Sequence, residues 1–400
     1  MARPMDVAPE RPIALPDSGL GRGWEPAAIF VLTLLLLACG LLTLYSASSV
    51  LAIRQHLPDT YYVFRQAAGA SLGLVLMLVC AALPYSLWDR LAWPLFWVCV
   101  TLLMVTVLPG TEAIAPRVNG ARRWLNVGVT LQPSEFAKIA VIIWTASIAV
   151  KKARQDHFKR LSLGLGPFFI AWSALLLPVL LEPDLSTACI IAMLGVLILF
   201  AAGARPGHFL FLGLLAVPFL KNQLAVGFRA DRMAAFLNPA TDPGGAGFQV
   251  RQSLVALGSG GLTGVGFGMG LQKFGFLPEA HNDFIFAMVG EEWGFLGVVF
   301  LTALFVAIIL VGFRIAGRAP DFFGELLAIG VTNLVAIQAV LHMAVGLGLV
   351  PTTGLALPLV SYGRSNLVVT LIAMGILMSV ARAAPGRTGR SRTGRKGARA

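Results

Sequence analysis

Apolar residues in this chain are spaced neither in the alternation of a half-buried strand nor as the single stripe of a surface helix; they come in long runs. Runs near the ~20 residues that cross a hydrocarbon core recur at about 27–49, 61–83, 90–108, 133–150, 164–181, 186–203, 207–223, 284–313, 323–349 and 366–381. The pattern predicts an all-α polytopic membrane protein with about ten transmembrane helices. One long outer loop, about 224–283, separates the seventh run from the eighth. The first run is longer than a signal-peptide core and lacks a small-x-small cleavage site, so it reads as a retained helix.

Composition agrees with the pattern. The 400 residues are 57% hydrophobic and 12% charged, with mean hydropathy +0.80, more apolar surface than a soluble core absorbs. Cys39, Cys80, Cys99 and Cys189 all lie inside apolar runs and read as small buried hydrophobes, not as a disulfide or zinc framework.

Charge then gives orientation. An even number of spans puts both termini on one side, and most of the 31 Lys and Arg, including the cluster Lys151–Arg160, fall on that side. Cytoplasmic loops carry the basic excess, so both termini are expected to be cytoplasmic. Residues 1–25 form a Pro-rich flexible leader, 26–381 one transmembrane domain, and 382–400 a basic, low-complexity tail without apolar periodicity. No nucleic-acid-binding module accompanies that tail; its basic character suits anionic lipid.

Basic residues on the outer side are the exceptions that invite chemistry. Arg117, Arg122 and Arg123 crowd a short loop before the fourth run, and Arg232 and Lys273 fall in the long loop. They read either as a solvated rim or as a site for an anion. In "QPSEFAK", Glu135 and Lys138 stand at i and i+3 on one helix face, as a structural ion pair or the polar floor of a cavity. "EPDLST" offers Glu182 and Asp184 at a helix junction, as a cap or as oxygen ligands for a cation.

"GSGGLTGVGFGMG" is rich in glycine but lacks the lysine and strand-to-helix setting of a phosphate loop. It indicates a backbone that approaches something closely. "PTTGLALPLVSYG" resembles a re-entrant or cavity-lining turn. Asp283 opens the eighth run beside His281, Asn282 and Glu279, more polar apparatus than a helix cap requires, with Glu291 and Glu292 about two turns deeper. That run is expected to wall a cavity.

Four stretches, "NGARRWLNVGVTLQPSEFAK", "EPDLSTA", "FQVRQSLVALGSGGLTGVGFGMGLQKFGFLPEAHNDFIFAMVGEEWGF" and "PTTGLALPLVSYGRSNL", occur in this order from the fourth run to the tenth. Together they resemble the signatures of the SEDS family, for shape, elongation, division and sporulation. "VNGARRW" and "LPEAHNDFIF" are closer to its division branch than to its elongation branch. The sequence departs from the family pattern in having Asn282 where Thr is usual, Ser186 where Gly is usual, and Arg364 and Asn366 in "SYGRSN".

The resemblance implies a peptidoglycan glycosyltransferase in the bacterial cytoplasmic membrane that polymerises lipid II on the outer face. Its implied partners are the growing glycan strand, a class B penicillin-binding protein, other division or elongation proteins, and membrane lipid. By motif Asp283 is the essential acidic residue, and Glu135 and Lys138 are the polar pair. Asp283 is expected to act as general base on an acceptor sugar hydroxyl, which displaces undecaprenyl diphosphate from the donor with inversion. Arg122, Arg123, Arg232, Lys273, Glu279 and Trp124 are expected around the substrate. Diphosphate would be stabilised by the positive groups Arg122, Arg123, Arg232 and Lys273, alone or with Mg or Mn, for which Asp184 is a candidate ligand. The competing readings are a lipid II flippase, with Glu135, Lys138 and Glu291 or Glu292 as an ion relay, and a non-catalytic divisome scaffold.

Overall fold

The computed structural model describes residues 23–117, 121–126, 128, 130–153, 164–238 and 245–384. Most of the leader, the greater part of the Lys151–Arg160 cluster and most of the basic tail lie outside the described residues. The chain opens with α1 (Glu25–Arg54), α2 (Tyr61–Ala82) and α3 (Ser86–Val107), followed by an antiparallel pair β1 (Leu125–Asn126) and β2 (Thr130–Leu131). Next come α4 (Pro133–Ala153), α5 (Gly166–Leu181), α6 (Leu185–Ala201) and α7 (Pro206–Leu224). The stretch expected as a long loop carries two helices, α8 (Gly227–Leu237) and α9 (Ala246–Ser259). Its glycines and prolines mask their short patterns in the sequence. The fold ends with α10 (Ile285–Ala316), α11 (Phe322–Gly346) and α12 (Arg364–Ala383).

Among the described residues, seven helices are long and apolar enough to cross a membrane: α1 to α4 and α10 to α12. The helices α5 and α6 are apolar but shorter, and α7 passes the same test only when joined to α8 across a 96° bend. In lipid, a helical protein gains little from burying Leu against Leu, so close backbone approach through small residues decides packing. The pairing of α12 with α2 shows it: a Cβ on Gly375 would meet Met77 O at 2.3 Å, and one on Gly73 would meet Leu371 Cδ1 at 2.4 Å. At the centre, α4 buries Ser134, Glu135, Lys138, Thr145 and Ser147 along with its apolar residues. No residue of α7 is buried.

One helix is broken. At Gly294, φ 68° and ψ −165° interrupt α10 and leave backbone groups without helical partners, each costing several kcal/mol in a medium without water. The glycine-rich segment supplies them. Val265 and Gly266 donate to Glu291 O and Glu292 O at 3.0 and 3.2 Å, while Phe295 and Leu296 donate to Gly261 O and Leu262 O at 2.9 and 3.1 Å. Gly264 lies at φ +83° with a built Cβ only 2.1 Å from Glu292 O, so the approach admits no side chain. The close approach that the sequence indicates is therefore made to the protein's own broken helix.

Candidate active site at Asp283

The half-helix 285–293 begins beside Asp283, and Asp283 does not cap it. Phe284 occupies the cap position, with no side-chain hydrogen bond. The backbone of Glu279, at φ +53°, turns the chain so that the N–H groups of Asn282 and Asp283 both donate to its carbonyl at 3.0 Å. Asn282 Nδ2 donates to Glu279 Oε2 at 2.7 Å, which ties the turn by its side chains as well. The Asp283 carboxyl is half-buried and faces the segment 351–363, where a Cβ on Gly354 would lie 3.7 Å from Oδ2. Gly354 has φ +71°, a conformation that favours glycine.

Burial pushes the Asp283 carboxyl up to about 6; the Glu279 charge pushes in the same direction, and Arg232 opposes both. A carboxyl near 6 is ionised at neutral pH yet basic enough to accept a proton during a reaction. His281 is held below its ordinary value by burial, with Glu279 acting the other way.

The segment opposite is fixed from several helices. Arg232 Nη1 on α8 donates to Thr352 O at 3.3 Å, Ser186 Oγ on α6 to Thr353 O at 3.1 Å, and His342 Nδ1 on α11 to Leu355 O at 2.7 Å. Ser361 Oγ donates to Asn282 O at 2.8 Å, and the Tyr362 N–H to His281 O at 3.1 Å, joining the segment to the Asp283 turn. From α2, Gln66 donates to Ser361 O at 3.0 Å and accepts from the Gly363 N–H at 3.2 Å. The rings of Tyr62, His281 and Tyr362 pack together with centroids 5.3 to 5.8 Å apart. Polar backbone that lipid would not tolerate is thus buried against protein.

Around Asp283 the structure brings together Glu279 and Arg232. The other expected residues stand elsewhere. Lys138 Nζ lies 2.7 Å from Glu135 Oε2 within α4, and Asn366 Nδ2 donates to the same oxygen at 2.9 Å. Arg122 pairs with Glu112 and donates to Leu108 O at 3.2 Å. Arg123 donates to the carbonyls of Glu182 and Pro183 at 3.0 and 2.9 Å, and Trp124 beside it is half-buried.

Lys273 is buried: its Nζ lies 3.4 Å from Glu292 Oε1 and 3.2 Å from Ser46 Oγ on α1. Glu292 also accepts from the Gly268 N–H at 3.1 Å, and Glu291 from the Leu271 N–H at 2.7 Å. Both carboxylates thus brace the glycine-rich segment from beneath. Sequence reasoning passed over Gly354, Ser361 and Gln66. The first two lie in "PTTGLALPLVSYG", whose proline and glycine density marks it as special without naming the contact.

Among the described residues no three His, Cys, Asp or Glu side chains converge. Asp184 caps α6, its Oδ1 accepting from the Thr187 N–H at 3.1 Å and its Oδ2 from the Thr187 hydroxyl at 2.9 Å. What the site offers is one carboxyl held above its ordinary value, the charge of Arg232 acting on it and Gly354 set against it.

Comparison with known proteins gives this site a context. Residues 26–385 match the family model of FtsW, RodA and SpoVE, described as "Cell cycle protein". The chain is 43% identical over 354 residues to a probable peptidoglycan glycosyltransferase FtsW of Geobacter metallireducens, covering 88% of this chain and 93% of that one. It is 39% identical over 358 residues to stage V sporulation protein E of Bacillus subtilis, covering 88% and 96%. A chain of the solved structure "Structural coordination of polymerization and crosslinking by a peptidoglycan synthase complex" superposes with TM-score 0.73 at 27% identity, covering 88% of this chain and 96% of that one. The rod shape determining protein RodA of Thermus thermophilus superposes with TM-score 0.66 at 26% identity, covering 92% and 99%. With the family model spanning nearly all of its helical part, the chain belongs to the FtsW, RodA and SpoVE family of cell cycle proteins, the SEDS family.

Proposed function

We propose that this chain is a peptidoglycan glycosyltransferase that polymerises lipid II into glycan strands during cell division. The observation that carries the reading is the half-buried Asp283 carboxyl, held well above its ordinary value by burial at the start of the α10 half-helix and set against Gly354. The family membership and the names of the FtsW relatives support it.

In the proposed step, Asp283 accepts the proton of an acceptor sugar hydroxyl as that oxygen bonds to the donor's anomeric carbon. The bond from that carbon to the diphosphate oxygen breaks, and its electron pair leaves with undecaprenyl diphosphate. The configuration at carbon inverts, and Asp283 returns the proton to solvent. Diphosphate is a stable leaving anion, so one carboxyl suffices where glycoside hydrolases use two. Arg232 beside Asp283 is the cation best placed for the developing charge. Arg122 and Arg123 serve the substrate from the neighbouring loop, with Trp124 against sugar or lipid.

The finer topology belongs to the same proposal. Counting α5, α6 and the α7–α8 pair with the seven longer helices gives ten spans, both termini in the cytoplasm and Asp283 at the outer face of the inner membrane. A class B penicillin-binding protein is the proposed partner, which agrees with the synthase complex named for the structural neighbour.

The test is polymerisation of purified lipid II by the wild type and by Asp283→Asn, each co-purified with its penicillin-binding protein whose transpeptidase is blocked. Long strands from the wild type and none from a folded Asp283→Asn support polymerase and base together. Equal product from both removes Asp283 as the base. No product from either, with the partner bound, turns the assignment toward a flippase or a scaffold.

A further inference from the structure

Residues 351–356 belong to no helix or strand, and among the described residues none of their backbone groups bonds to other backbone. Peptide groups without a ladder of their own must find partners elsewhere. Here three carbonyls accept from the side chains of three helices. Arg232 on α8 donates to Thr352 O, Ser186 on α6 to Thr353 O and His342 on α11 to Leu355 O. The last two carbonyls bracket Gly354, the residue set against Asp283 Oδ2.

His342 is 1% exposed. A carbonyl only accepts, so ring Nδ1 carries the proton that it donates to Leu355 O, and Nε2 is left as a bare acceptor. That Nε2 is buried and has no partner. A buried imidazole with one of its two nitrogens unsatisfied is a poorer core residue than an aliphatic side chain of similar size. What the imidazole provides at this position, and leucine would not, is the hydrogen bond that fixes the Leu355 carbonyl. Ser186 stands in the first turn of α6, which Asp184 caps through the Thr187 N–H, so its hydroxyl projects from an anchored helix start. With these two bonds in place, the peptides on both sides of Gly354 are fixed from outside the segment.

We propose that His342 and Ser186 are positioning residues, which act through the segment 351–355 by holding Gly354 against the Asp283 carboxyl. The catalytic consequence rests on the reading of Asp283 as the base; the positioning itself does not. Burial is the main cause of the raised Asp283 value, with Glu279 adding to it and Arg232 opposing. Freeing the segment admits water to the carboxyl and moves it back toward its ordinary value. The variants below leave Glu279, Arg232 and the neighbouring His281 unchanged.

The test uses the full chain with its penicillin-binding protein in nanodiscs. Asp283 is titrated through the range around 6 by infrared difference spectroscopy, with the Asp283→Asn spectra subtracted to isolate that carboxyl, and lipid II polymerisation is followed on the same samples. His342→Leu and Ser186→Ala are each expected to lower the Asp283 midpoint by about 0.5 or more. His342→Asn, which offers an amide N–H close to the place of Nδ1–H, is expected to titrate like the wild type. The alkaline limb of the polymerisation rate follows the same shifts, and kcat falls about tenfold in the two disruptive variants while KM for lipid II changes less than about twofold. Midpoints equal to wild type in folded variants overturn the proposal, and so does a His342→Asn that behaves as His342→Leu. Should His342→Leu fail to fold, Ser186→Ala, at a half-buried position, decides the matter alone. A midpoint that shifts while the rate does not follow it supports the positioning and removes Asp283 as the base, so the two readings fail separately.

Discussion

Asn366 on α12 donates to the same Glu135 oxygen that Lys138 approaches on α4, at 2.9 and 2.7 Å. Lys138 is fully buried and Glu135 nearly so, so each charge depends on the other for its tolerance of the interior. Glu135→Ala leaves the ammonium alone and is expected to cost about 3–5 kcal/mol. Replacing both, as Glu135→Gln with Lys138→Met, is expected to recover most of that loss. Thermal unfolding of the purified variants in detergent checks the non-additivity. A double variant no more stable than the single one would show that the pair is not the source of the cost.

Asp283 gives the proposed reaction a pH signature. A general base works as the carboxylate, so the lipid II polymerisation rate is expected to rise with pH along a limb centred near 6. Removing the Glu279 charge, as Glu279→Gln, moves that limb toward lower pH; Arg232→Gln moves it higher. Asp283→Asn removes the limb and lowers the rate about 10²–10⁴-fold. The stability sign is the reverse of the rate. The folded-state value is raised from 3.8, so the proton-linked contribution to folding is complete below 3.8 and is lost as pH rises through about 6.

The glycine-rich segment predicts a sharp contrast between two neighbours. Gly264→Ala puts a Cβ 2.1 Å from Glu292 O at φ +83°. The left-handed conformation costs about 1–2 kcal/mol, and displacing the segment orphans the carbonyls at the α10 break. A loss of at least about 2 kcal/mol is expected. At Gly258 in α9, a Cβ meets nothing within 4 Å, and Gly258→Ala is expected to stabilise by about 0.5–1 kcal/mol. Paired thermal melts decide it; equal behaviour of the two variants would remove the role assigned to the segment.

Much of this was legible because the signal was local. Apolar runs mark their own boundaries, and α1, α2, α4 and α10 begin within about two residues of where the pattern puts them. The Asp283 neighbourhood was legible as an excess of polar residues at a helix start. What could not be read required a partner distant in sequence. Asn366 meets Glu135 across 231 positions. The orphan carbonyls of Glu291 and Glu292 exist only because α10 breaks at Gly294, and nothing in "GSGGLTGVGFGMG" says that those are what it approaches. The helices α8 and α9 were hidden for a different reason, since short helices between glycines and prolines lack a pattern long enough to stand out.

Lys273 separates charge counting from structure. Its position in the outer loop made it a candidate for holding diphosphate, yet its ammonium lies buried between Glu292 at 3.4 Å and Ser46 at 3.2 Å. Glu292 in turn accepts from Ser46 Oγ at 2.5 Å and from the Gly268 N–H at 3.1 Å, so the cluster joins α1, α10 and the glycine-rich segment. Lys273→Met leaves a buried carboxylate without its cation and is expected to cost about 3–5 kcal/mol. Adding Glu292→Gln removes the orphaned charge while keeping a hydrogen-bonding side chain, and is expected to restore most of the stability. The two roles then part in the activity of that double variant, measured on lipid II below its melting temperature. If Lys273 only ties the segment together, polymerisation returns with stability, and KM for lipid II is unchanged. If it also holds diphosphate, stability returns but KM stays raised, because no cation is left at that position.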